Sequence, residues 1–247
     1  MVPGGWRRVD LVDNTGSTNA DLADAARRGE PGDIALVAEE QSSGRGRLDR
    51  AWHAPPRSSL LLSVMLRPTT APATWPLLPL VAGVAGVEAV RRVAELDAVL
   101  KWPNDVMVAG RKLGGILVQL VESAVVIGLG LNVSIRPAEL PVPTATSIAI
   151  EGGHPDREAL TKEVLRALRR RYDAWLAADG AAHAVLPTYR ELCDTIGRRV
   201  SVDLPGGVVV DGEASGVDDS GRLLVVTADG AEHGFTVGDV MHVRPEA

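Results

Sequence analysis

The sequence has few of the features that usually reveal an oxidising compartment or a membrane. Its 247 residues include one cysteine, Cys193, which excludes an internal disulfide and favours a reducing compartment. No signal peptide or lipidation motif is visible. The most apolar stretch, residues 75–90, is interrupted by Pro79 and Glu88, which favours a buried helix over a membrane span. We therefore predict a cytoplasmic protein with no membrane partner.

Charge and missing motifs exclude further classes of function. The formal net charge is −6, which argues against nucleic acid as the main partner. The Gly-x-Ser-x-Gly elbow of serine hydrolases does not occur, and the five histidines do not show metal-binding spacing. The chain does have 45% hydrophobic residues, which is enough for one large core and a small second domain.

Hydrophobic periodicity predicts an α+β fold. In the strongest predicted helix, residues 157–178, apolar side chains such as Leu160, Val164 and Leu168 recur every four residues. Shorter patterns predict further helices over residues 18–28, 75–94 and 182–192. Strands are predicted at residues 9–12, 34–38, 58–66, 98–102, 106–108, 113–121 and 125–133.

The character of the chain changes at about Thr195. Short β-prone runs follow, separated by turn signals such as Pro205-Gly206-Gly207 and Asp229-Gly230. About 50 residues of this kind are typical of a small barrel. We therefore predict two domains, residues 1–192 and a small C-terminal β-barrel of residues 193–247.

One long loop is rich in glycine and arginine. Residues 41–57 show no apolar periodicity, and loops of this length in compact domains are usually functional. Gly44 and Gly46 allow backbone N–H groups to approach an anion, while Arg45 and Arg47 can each grip a phosphate or carboxylate through two parallel hydrogen bonds. A solvated basic loop is the alternative, and the loop by itself leaves both interpretations open.

A second polar segment, Lys101-Trp102-Pro103-Asn104-Asp105, follows a predicted strand. Proline followed by two Asx residues is ordinary turn chemistry, so a plain turn is one interpretation. In the functional interpretation, Asp105 binds Mg²⁺ through water and Asn104 holds substrate or metal. Trp102 is predicted to pack in the interior.

A third segment places Lys112 at the start of an apolar strand that contains Gly114 and Gly115. A lysine there can simply flank the strand, but two glycines within it indicate close approach of another group. A flat apolar ligand on those glycines would bring its carboxylate beside Lys112. The ammonium could then stabilise charge on a carboxyl–phosphate anhydride.

Two shorter patterns complete the candidate site. Ser17, Thr18 and Asn19 are most simply explained as a helix cap, although the same groups could bind a polar ligand. Gly128 and Asn132 belong to a strand interrupted by glycines, which again indicates close backbone approach.

Taken together, these motifs and their order resemble those of biotin protein ligases. Each motif is weak alone, but five in the same order are specific, and the small C-terminal domain extends the resemblance to nearly the whole chain. The motifs are Ser-Thr-Asn at 17–19, Gln-x-x-Gly-Arg-Gly-Arg at 41–47, Lys-Trp-Pro-Asn-Asp at 101–105, Lys-Leu-Gly-Gly-Ile-Leu at 112–117 and Gly-x-Gly-x-Asn at 128–132.

The resemblance implies a catalytic domain built on a mixed β-sheet flanked by helices, and a two-step reaction. Biotin and ATP, with Mg²⁺, would form biotinyl-5′-AMP and pyrophosphate. A lysine of a biotin carboxyl carrier domain would then take the biotinyl group and release AMP. A homodimer through the catalytic sheet is also an implied possibility, while the sequence itself leaves the oligomeric state open.

Residue roles follow by motif match. Lys112, Arg45 and Arg47 would be the catalytic cations. Biotin and its activated carboxyl would contact Ser17, Thr18, Asn19, Gln41, Gly44, Arg45, Gly46, Arg47, Lys112, Gly114 and Gly115. ATP would contact Trp52, Lys101, Asn104, Asp105, Gly128 and Asn132, with Asp105 serving the metal. The loop from Gly44 to Arg50 is expected to be mobile until ligands bind.

The sequence departs from the family's pattern in two places. Bifunctional members carry an N-terminal DNA-binding domain, and Ser17 comes too early for one, so we expect the monofunctional type with no DNA partner. Asp49 places a negative charge where relatives often have glycine. The alternatives that remain are a lipoate or octanoate protein ligase, against which the Gly-Arg-Gly-Arg and Lys-Trp-Pro-Asn-Asp motifs count, and a non-catalytic biotin-binding module.

Overall fold

Most of the chain is organised around one seven-stranded mixed sheet. The computed structural model describes residues 5–47, 50–204, 206–236 and 238–243. The sheet order is β1-β2-β3-β7-β6-β5-β4, with β1 parallel to β2 and all other neighbours antiparallel. The strands are β1 Arg8–Thr15, β2 Ile34–Gln41, β3 Ser59–Leu66, β4 Ala98–Lys101, β5 Asp105–Val108, β6 Arg111–Val121 and β7 Ala124–Asn132. The predicted α+β class and mixed sheet are confirmed.

Helices cover both faces of this sheet. They are α1 Thr18–Arg27, α2 Leu78–Ala94, α3 Arg157–Ala177 and α4 Leu186–Leu192. The helices α2 and α3 pack against each other and against one face, where they bury the main core. The helix α1 lies on the opposite face against β2, β3, β6 and β7, with Leu22, Ile34 and Met65 in a second, smaller core. We call this second face the α1 face, and it carries the candidate site.

The central helix α2 begins later than predicted. Residues Pro72–Leu77 form a 3₁₀ turn, and the α-helix starts only at Leu78. Pro76 has no N–H to donate, so it suits a helix start but not a helix interior. Residues Pro72–Ala94 are the one described segment long and apolar enough to pass as a membrane span, yet 72% of its most apolar window is buried within the protein. This burial is what a core helix requires.

The first two strands are longer than predicted and position the site. The parallel ladder continues through Asn14↔Glu40 and Thr15↔Gln41. These polar residues lie near the sheet edge, where burial is incomplete, so apolar alternation does not mark them. Because the ladder reaches its end at Thr15 and Gln41, the start of α1 and the start of the glycine–arginine loop leave the sheet side by side.

A smaller antiparallel sheet forms the C-terminal domain. Its strands are β8 Arg199–Asp203, β9 Val209–Val217, β10 Leu223–Val226, β11 Glu232–Phe235 and β12 Asp239–His242, in the order β11-β10-β9-β8-β12. The prediction of a small all-β domain is confirmed, but the sheet stays open. Within the described residues, no ladder joins the outer strands β11 and β12 to close a barrel. The proposed division at residues 192 and 193 stays a prediction.

The C-terminal domain is attached to the edge strand β4 and the turn after it. The Asp194 N–H donates to the Leu100 carbonyl at 2.8 Å, and the Trp102 backbone N–H donates to Thr195 Oγ1 at 3.0 Å. The indole N–H of Trp102 donates to the Gly221 carbonyl at 3.0 Å. Trp102 is only 2% exposed, which confirms its predicted packing role.

His242 lies at this junction, and we expect it to make stability depend on pH. Burial and the nearby charges of Lys101 and Arg198 lower the pKa of His242 to about 4, against the opposing effect of Asp194. The unfolded chain would bind a proton near pH 6.5 while the folded protein would not, so stability falls as pH decreases through this window. Between pH 7 and pH 5 we expect a loss of about 1 kcal/mol, allowing for the ring's partial exposure.

This effect can be measured by urea unfolding of the wild type and His242→Gln at both pH values. The amide of Gln can still bond to Thr195, whose Oγ1 lies 3.1 Å from His242 Nε2. The variant should lose about 1 kcal/mol less than the wild type between pH 7 and pH 5. Identical losses in the two proteins would contradict the assignment.

Candidate functional site

A buried polar cluster lies where α1 meets the sheet. The Thr18 N–H and hydroxyl donate to Gln41 Oε1 at 2.8 and 2.9 Å. The Thr18 hydroxyl lies 2.7 Å from Ser63 Oγ, which in turn lies 2.6 Å from Asn19 Oδ1. These groups form three oxygen–oxygen contacts, but only the hydroxyls of Thr18 and Ser63 carry protons to donate. The cluster therefore has more acceptors than donors. Such a cluster suits a ligand that presents N–H groups.

Local sequence explains how this polar cluster is held. Ser17 caps α1, and its Oγ accepts from the Ala20 N–H at 3.5 Å, which confirms the favoured capping interpretation. Thr18 and Asn19 are the first helical residues and are 3% and 6% exposed. The amide of Asn19 donates to the Leu117 carbonyl at 3.3 Å and to Gln119 Oε1 at 3.2 Å. Sheet strands on both sides thus orient the helix start.

Sequence reasoning missed Ser63, which joins Thr18 to Asn19. A signal was present, because Ser63 interrupts an otherwise apolar stretch of β3 and is only 1% exposed. A hydroxyl in the centre of a fully buried strand needs a polar partner.

Glycines form a flat floor beside this polar cluster. Gly115 on β6 is the direct cross-strand partner of Gly130 on β7, and Gly128 lies two residues along the same face. A methyl group on Gly128 would lie 2.1 Å from Asn19 Oδ1, and one on Gly130 would lie 2.7 Å from the Trp52 ring. Because these three residues have no side chains, other groups approach the backbone of the floor closely on the α1 face.

The indole of Trp52 covers the part of the floor where a flat ligand was expected. Its ring carbons lie over Gly130 and near Gly115. The indole Nε1 is buried without a hydrogen-bond partner among the described residues. The backbone N–H of Trp52 donates to the Gly44 carbonyl at 2.9 Å and holds the residue in place. A ligand's acceptor could satisfy this nitrogen.

Gly114 does not belong to the floor. A methyl group there would meet the Gly130 carbonyl at 2.3 Å and Leu131 Cδ2 at 2.4 Å. Leu131 belongs to the main core on the opposite face. The structure therefore accounts for Gly114 by close packing of β6 against β7.

A cationic cluster, consisting of Lys101, Lys112 and Arg47 around the carboxylate of Asp105, lies next to the floor. Lys112 Nζ is 2.6 Å from Asp105 Oδ1, and Lys101 is the cross-strand partner of Asp105. The pKa of Lys101 and the pKa of Arg47 are both lowered, mainly because burial disfavours the charged form. The negative charge of Asp105 opposes this shift in each case. Three cations around one carboxylate leave an excess of positive charge in a partly desolvated place, which favours a polyanion.

Asn104 connects the glycine–arginine loop to the sheet. Its Nδ2 donates to the Ile116 carbonyl at 3.1 Å, and its Oδ1 accepts from Arg47 Nη1 at 2.9 Å. The Asn104 carbonyl also accepts from the Ile116 N–H at 2.9 Å. Asn104 therefore fixes where the guanidinium of Arg47 lies.

The loop itself folds back as a narrow turn. Arg45 forms an antiparallel bridge with Ala51, and the Gly46 N–H donates to the Arg50 carbonyl at 2.6 Å. Arg50 forms an ion pair with Asp239 of the C-terminal sheet. The predictions for Asp49 and for the tip of the loop concern Leu48 and Asp49, which lie outside the described residues.

Asn132 lies at the far end of the floor. It is 5% exposed, and its Nδ2 donates to the Thr146 carbonyl at 2.9 Å. The structure thus brings most of the predicted residues to one face of the sheet in two groups, while Gly114 packs towards the other face. The polar cluster lies at one end, and the cations with Asp105 and Asn104 lie at the other. The described chain contains no group of three or more His, Cys, Asp or Glu residues placed to hold a metal ion.

Comparison with known proteins identifies the family of this chain. Residues 14–132 match the Biotin/lipoate A/B protein ligase family, and residues 195–243 match the Biotin protein ligase C terminal domain. The chain is 42% identical to the biotin--[acetyl-CoA-carboxylase] ligase of Mycobacterium tuberculosis, over 97% of this chain and 91% of that protein. It is 30% identical to the bifunctional ligase/repressor BirA of Bacillus subtilis, over 90% of this chain and 69% of the relative.

Solved structures agree with the sequence relatives. The biotin protein ligase of Aquifex aeolicus, in complex with biotin and ATP, superimposes with a TM-score of 0.81 at 26% identity and covers 97% of this chain and all of its own. The biotin protein ligase of Leishmania major, in complex with biotinyl-5-AMP, gives a TM-score of 0.66 at 25% identity, covering 93% of this chain and 98% of that one. The chain belongs to the biotin/lipoate A/B protein ligase family, and within it to the biotin protein ligases.

Proposed function

We propose that this protein activates biotin with ATP as biotinyl-5′-AMP and transfers the biotinyl group to a lysine of a biotin carboxyl carrier domain. The observation that carries this proposal is the pairing of two unlike half-sites on one face of the sheet. A buried, acceptor-rich polar cluster lies at one end of a glycine floor, and a cationic cluster lies at the other. Joining a small polar ring system to a nucleotide requires polar groups that bind the ring and cations that bind the phosphates.

The polar cluster supports binding of the biotin ring. The ureido group of biotin has two N–H donors and one carbonyl acceptor, and Thr18, Asn19 and Ser63 offer both hydroxyl and amide groups. Apolar strands with a few placed polar groups are the usual lining of a small-molecule site. The valeryl chain would then run past the Trp52 ring, which lies over Gly130, towards Lys112.

The cationic cluster supports the first chemical step. A carboxylate oxygen of biotin attacks the α-phosphorus of ATP, the bond from that phosphorus to the bridging oxygen breaks, and pyrophosphate leaves. Negative charge grows on the α-phosphate and on the departing group, and Lys112, Lys101 and Arg47 are placed to stabilise it. We assign Lys112 the contact with the carboxyl and α-phosphate, and Arg45 and Arg47 the contact with the phosphates.

Transfer follows from the same complex. The neutral ε-amine of the carrier lysine attacks the acyl carbon, the carbon–oxygen bond to the phosphate breaks, AMP leaves, and the amine loses a proton to solvent. The cations that stabilised the adenylate also stabilise the departing AMP. Acetyl-CoA carboxylase is named in the M. tuberculosis relative's activity, and we propose its carrier domain as the acceptor here.

Mg²⁺ would be held mainly by the phosphates of ATP, with Asp105 as the protein's carboxylate. Mg²⁺ commonly takes one or two carboxylates together with substrate phosphates, so a single carboxylate fits this chemistry. When bound, the ion supplies further neutralisation of the pyrophosphate charge. Asp105 is paired with Lys112, so the two groups would separate as the nucleotide binds.

We propose the cytoplasm as the compartment. The homodimer and the absence of a DNA partner stay predictions.

The proposal is tested by intact-mass measurement. The protein is incubated with Mg·ATP, equal biotin and lipoate, an apo biotin-carrier domain and an apo lipoyl domain. A biotin-sized gain on the carrier domain alone is the expected result. A gain on the lipoyl domain would make the protein a lipoate ligase, and biotin binding without any gain would leave a binding module.

The glycine–arginine loop should become more ordered when ligands bind. Its arginines Arg45, Arg47 and Arg50 are sites for trypsin, and closing over the adenylate would shield them and exclude water. We expect cleavage at these arginines to slow when biotin and Mg·ATP are added, as followed by mass spectrometry of the fragments. Cleavage after Arg28, an exposed residue outside the site, should not change. Equal or faster cleavage of the loop with ligands would contradict the prediction.

A further inference from the structure

A buried carboxylate lies behind the cationic end of the site, and the proposed mechanism does not use it. The side chain of Glu151 is 9% exposed. Its Oε1 accepts from the Thr146 hydroxyl at 2.5 Å and lies 2.7 Å from the Arg111 guanidinium. A carboxylate with so little exposure requires polar partners of this kind, and of the two the guanidinium of Arg111 remains 42% exposed.

Both partners of Glu151 lead directly to Lys112. Arg111 precedes Lys112 at the start of β6. The Thr146 N–H donates to the Lys112 carbonyl at 2.8 Å, and the Lys112 N–H donates to the Thr144 carbonyl at 2.8 Å. These two bonds pair the start of β6 with residues 144–146 in a short parallel bridge.

Thr146 also holds Asn132. The amide of Asn132 donates to the Thr146 carbonyl at 2.9 Å, and Thr146 is completely buried. One residue therefore bonds through its two backbone groups to two proposed site residues. The described hydrogen bond of its side chain is donated by the hydroxyl to Glu151.

This support matters because of where the two site residues lie. Lys112 is paired with Met107 on β5 and Asn132 with Ser59 on β3, but the ladder that joins β6 directly to β7 ends at the pair Gly114↔Leu131. Where a ladder between two strands ends, their relative position depends on the other groups that connect them. Beyond that pair, Thr146 joins the two strands to each other, because its N–H donates to Lys112 and its carbonyl accepts from Asn132.

We propose that Glu151 is a positioning residue for adenylate formation. Through Thr146 and Arg111 it sets the position of Lys112 relative to Asn132, and thus the alignment of the biotin carboxyl with the α-phosphate. This inference rests on the proposed ligase function. Glu151 itself does not touch the substrates. It acts by limiting the motion of Lys112 and Asn132, which would contact the substrates.

Glu151→Ala is expected to lower kcat for biotinyl-5′-AMP formation by about tenfold to a hundredfold, the usual cost of a small misalignment of reacting groups. Pyrophosphate release without carrier measures this rate. The biotin ring would bind at the polar cluster, which Glu151 does not contact, so the Kd of biotin should change by less than about threefold. Glu151→Gln keeps an oxygen for Thr146 and Arg111 and should recover much of the lost rate.

Glu139→Ala is the matched control. Glu139 lies, like Glu151, between β7 and α3, and its described side-chain bonds go to Arg136 rather than to a proposed site residue. Its kcat should equal that of the wild type. Thermal unfolding of all variants corrects each rate for the folded fraction, since loss of stability alone would change every property of the site together.

Amide hydrogen exchange tests the positioning without turnover. In the ligand-free protein, the amides of Lys112 and Thr146 should exchange at least about tenfold faster in Glu151→Ala than in the wild type. Unchanged exchange at both amides, or a kcat per folded molecule equal to that of the wild type, would overturn the inference. A wild type that forms no adenylate would contradict the proposed function, and the exchange result would still decide whether Glu151 positions Lys112.

Discussion

Lys112→Ala is expected to lower the rate of biotinyl-5′-AMP formation by about 10²–10³-fold, the usual cost of removing one group that stabilises developing charge. Lys112 Nζ lies 2.6 Å from Asp105 at the edge of the glycine floor, where the activated carboxyl would form. Its loss also leaves Asp105 without its nearest cation, so the site becomes less attractive to a triphosphate. Pyrophosphate release with biotin and Mg·ATP measures the effect.

The chain offers a clear control for this substitution. It has three lysines, of which Lys162 lies on α3 and pairs with Glu158 at the surface. Lys162→Ala should have the wild-type rate. Lys112→Arg keeps the charge but replaces a compact ammonium with a planar fork, so it should recover only part of the rate. A Lys112→Ala rate within about threefold of the wild type would remove Lys112 from the catalytic role, since group removal normally costs far more.

Gly128→Ala is expected to weaken biotin binding by at least about tenfold, the equivalent of one displaced buried hydrogen-bonding group. The added methyl would lie 2.1 Å from Asn19 Oδ1, closer than any real contact. Gly128 cannot move away, because it is paired with Ser63 on one side and Leu117 on the other. The side chain of Asn19 must leave the polar cluster instead. Calorimetric titration with biotin measures the affinity.

The same substitution should reduce the free energy of unfolding by about 1–3 kcal/mol through overpacking. Gly216→Ala, in β9 of the C-terminal sheet, is the control, because its added methyl meets nothing within 4 Å. In the double variant Gly128→Ala/Asn19→Ala the clash is absent. Its loss of unfolding free energy should therefore be smaller than the sum of the losses in the two single variants. Unchanged biotin affinity in Gly128→Ala would place the ligand elsewhere.

Local sequence accounts for much of the fold and of the site. The cap at Ser17, the turn at Asn104 and Asp105, and the glycine pairs of β6 and β7 depend on residues close together in the chain. Those features were predicted because each has a local physical signature in turn chemistry, capping or periodicity. Strand ends that lie near the sheet edge, such as the end of β2 at Gln41, lacked that signature and were predicted too short.

Contacts between distant parts of the chain could not be predicted in this way. Ser63 meets Asn19 across 44 positions, and Trp102 meets Gly221 across 119. The position of Trp52 over Gly130 and the burial of Glu151 beside Thr146 also depend on how strands and connections pack. No local propensity encodes which partner a polar side chain meets, because that choice is made by the whole packed core.

By itself, therefore, the sequence determined the family, the class of fold and the kinds of group that the site contains. Order and spacing along the chain carry that information directly. The tertiary structure decided which groups are neighbours: an acceptor-rich cluster at one end, cations around Asp105 at the other, and Thr146 beneath the two strand ends. The reason is physical, since the strength of each interaction depends on burial and on distances of a few ångströms, and both are set only when the sheet and its helices pack together.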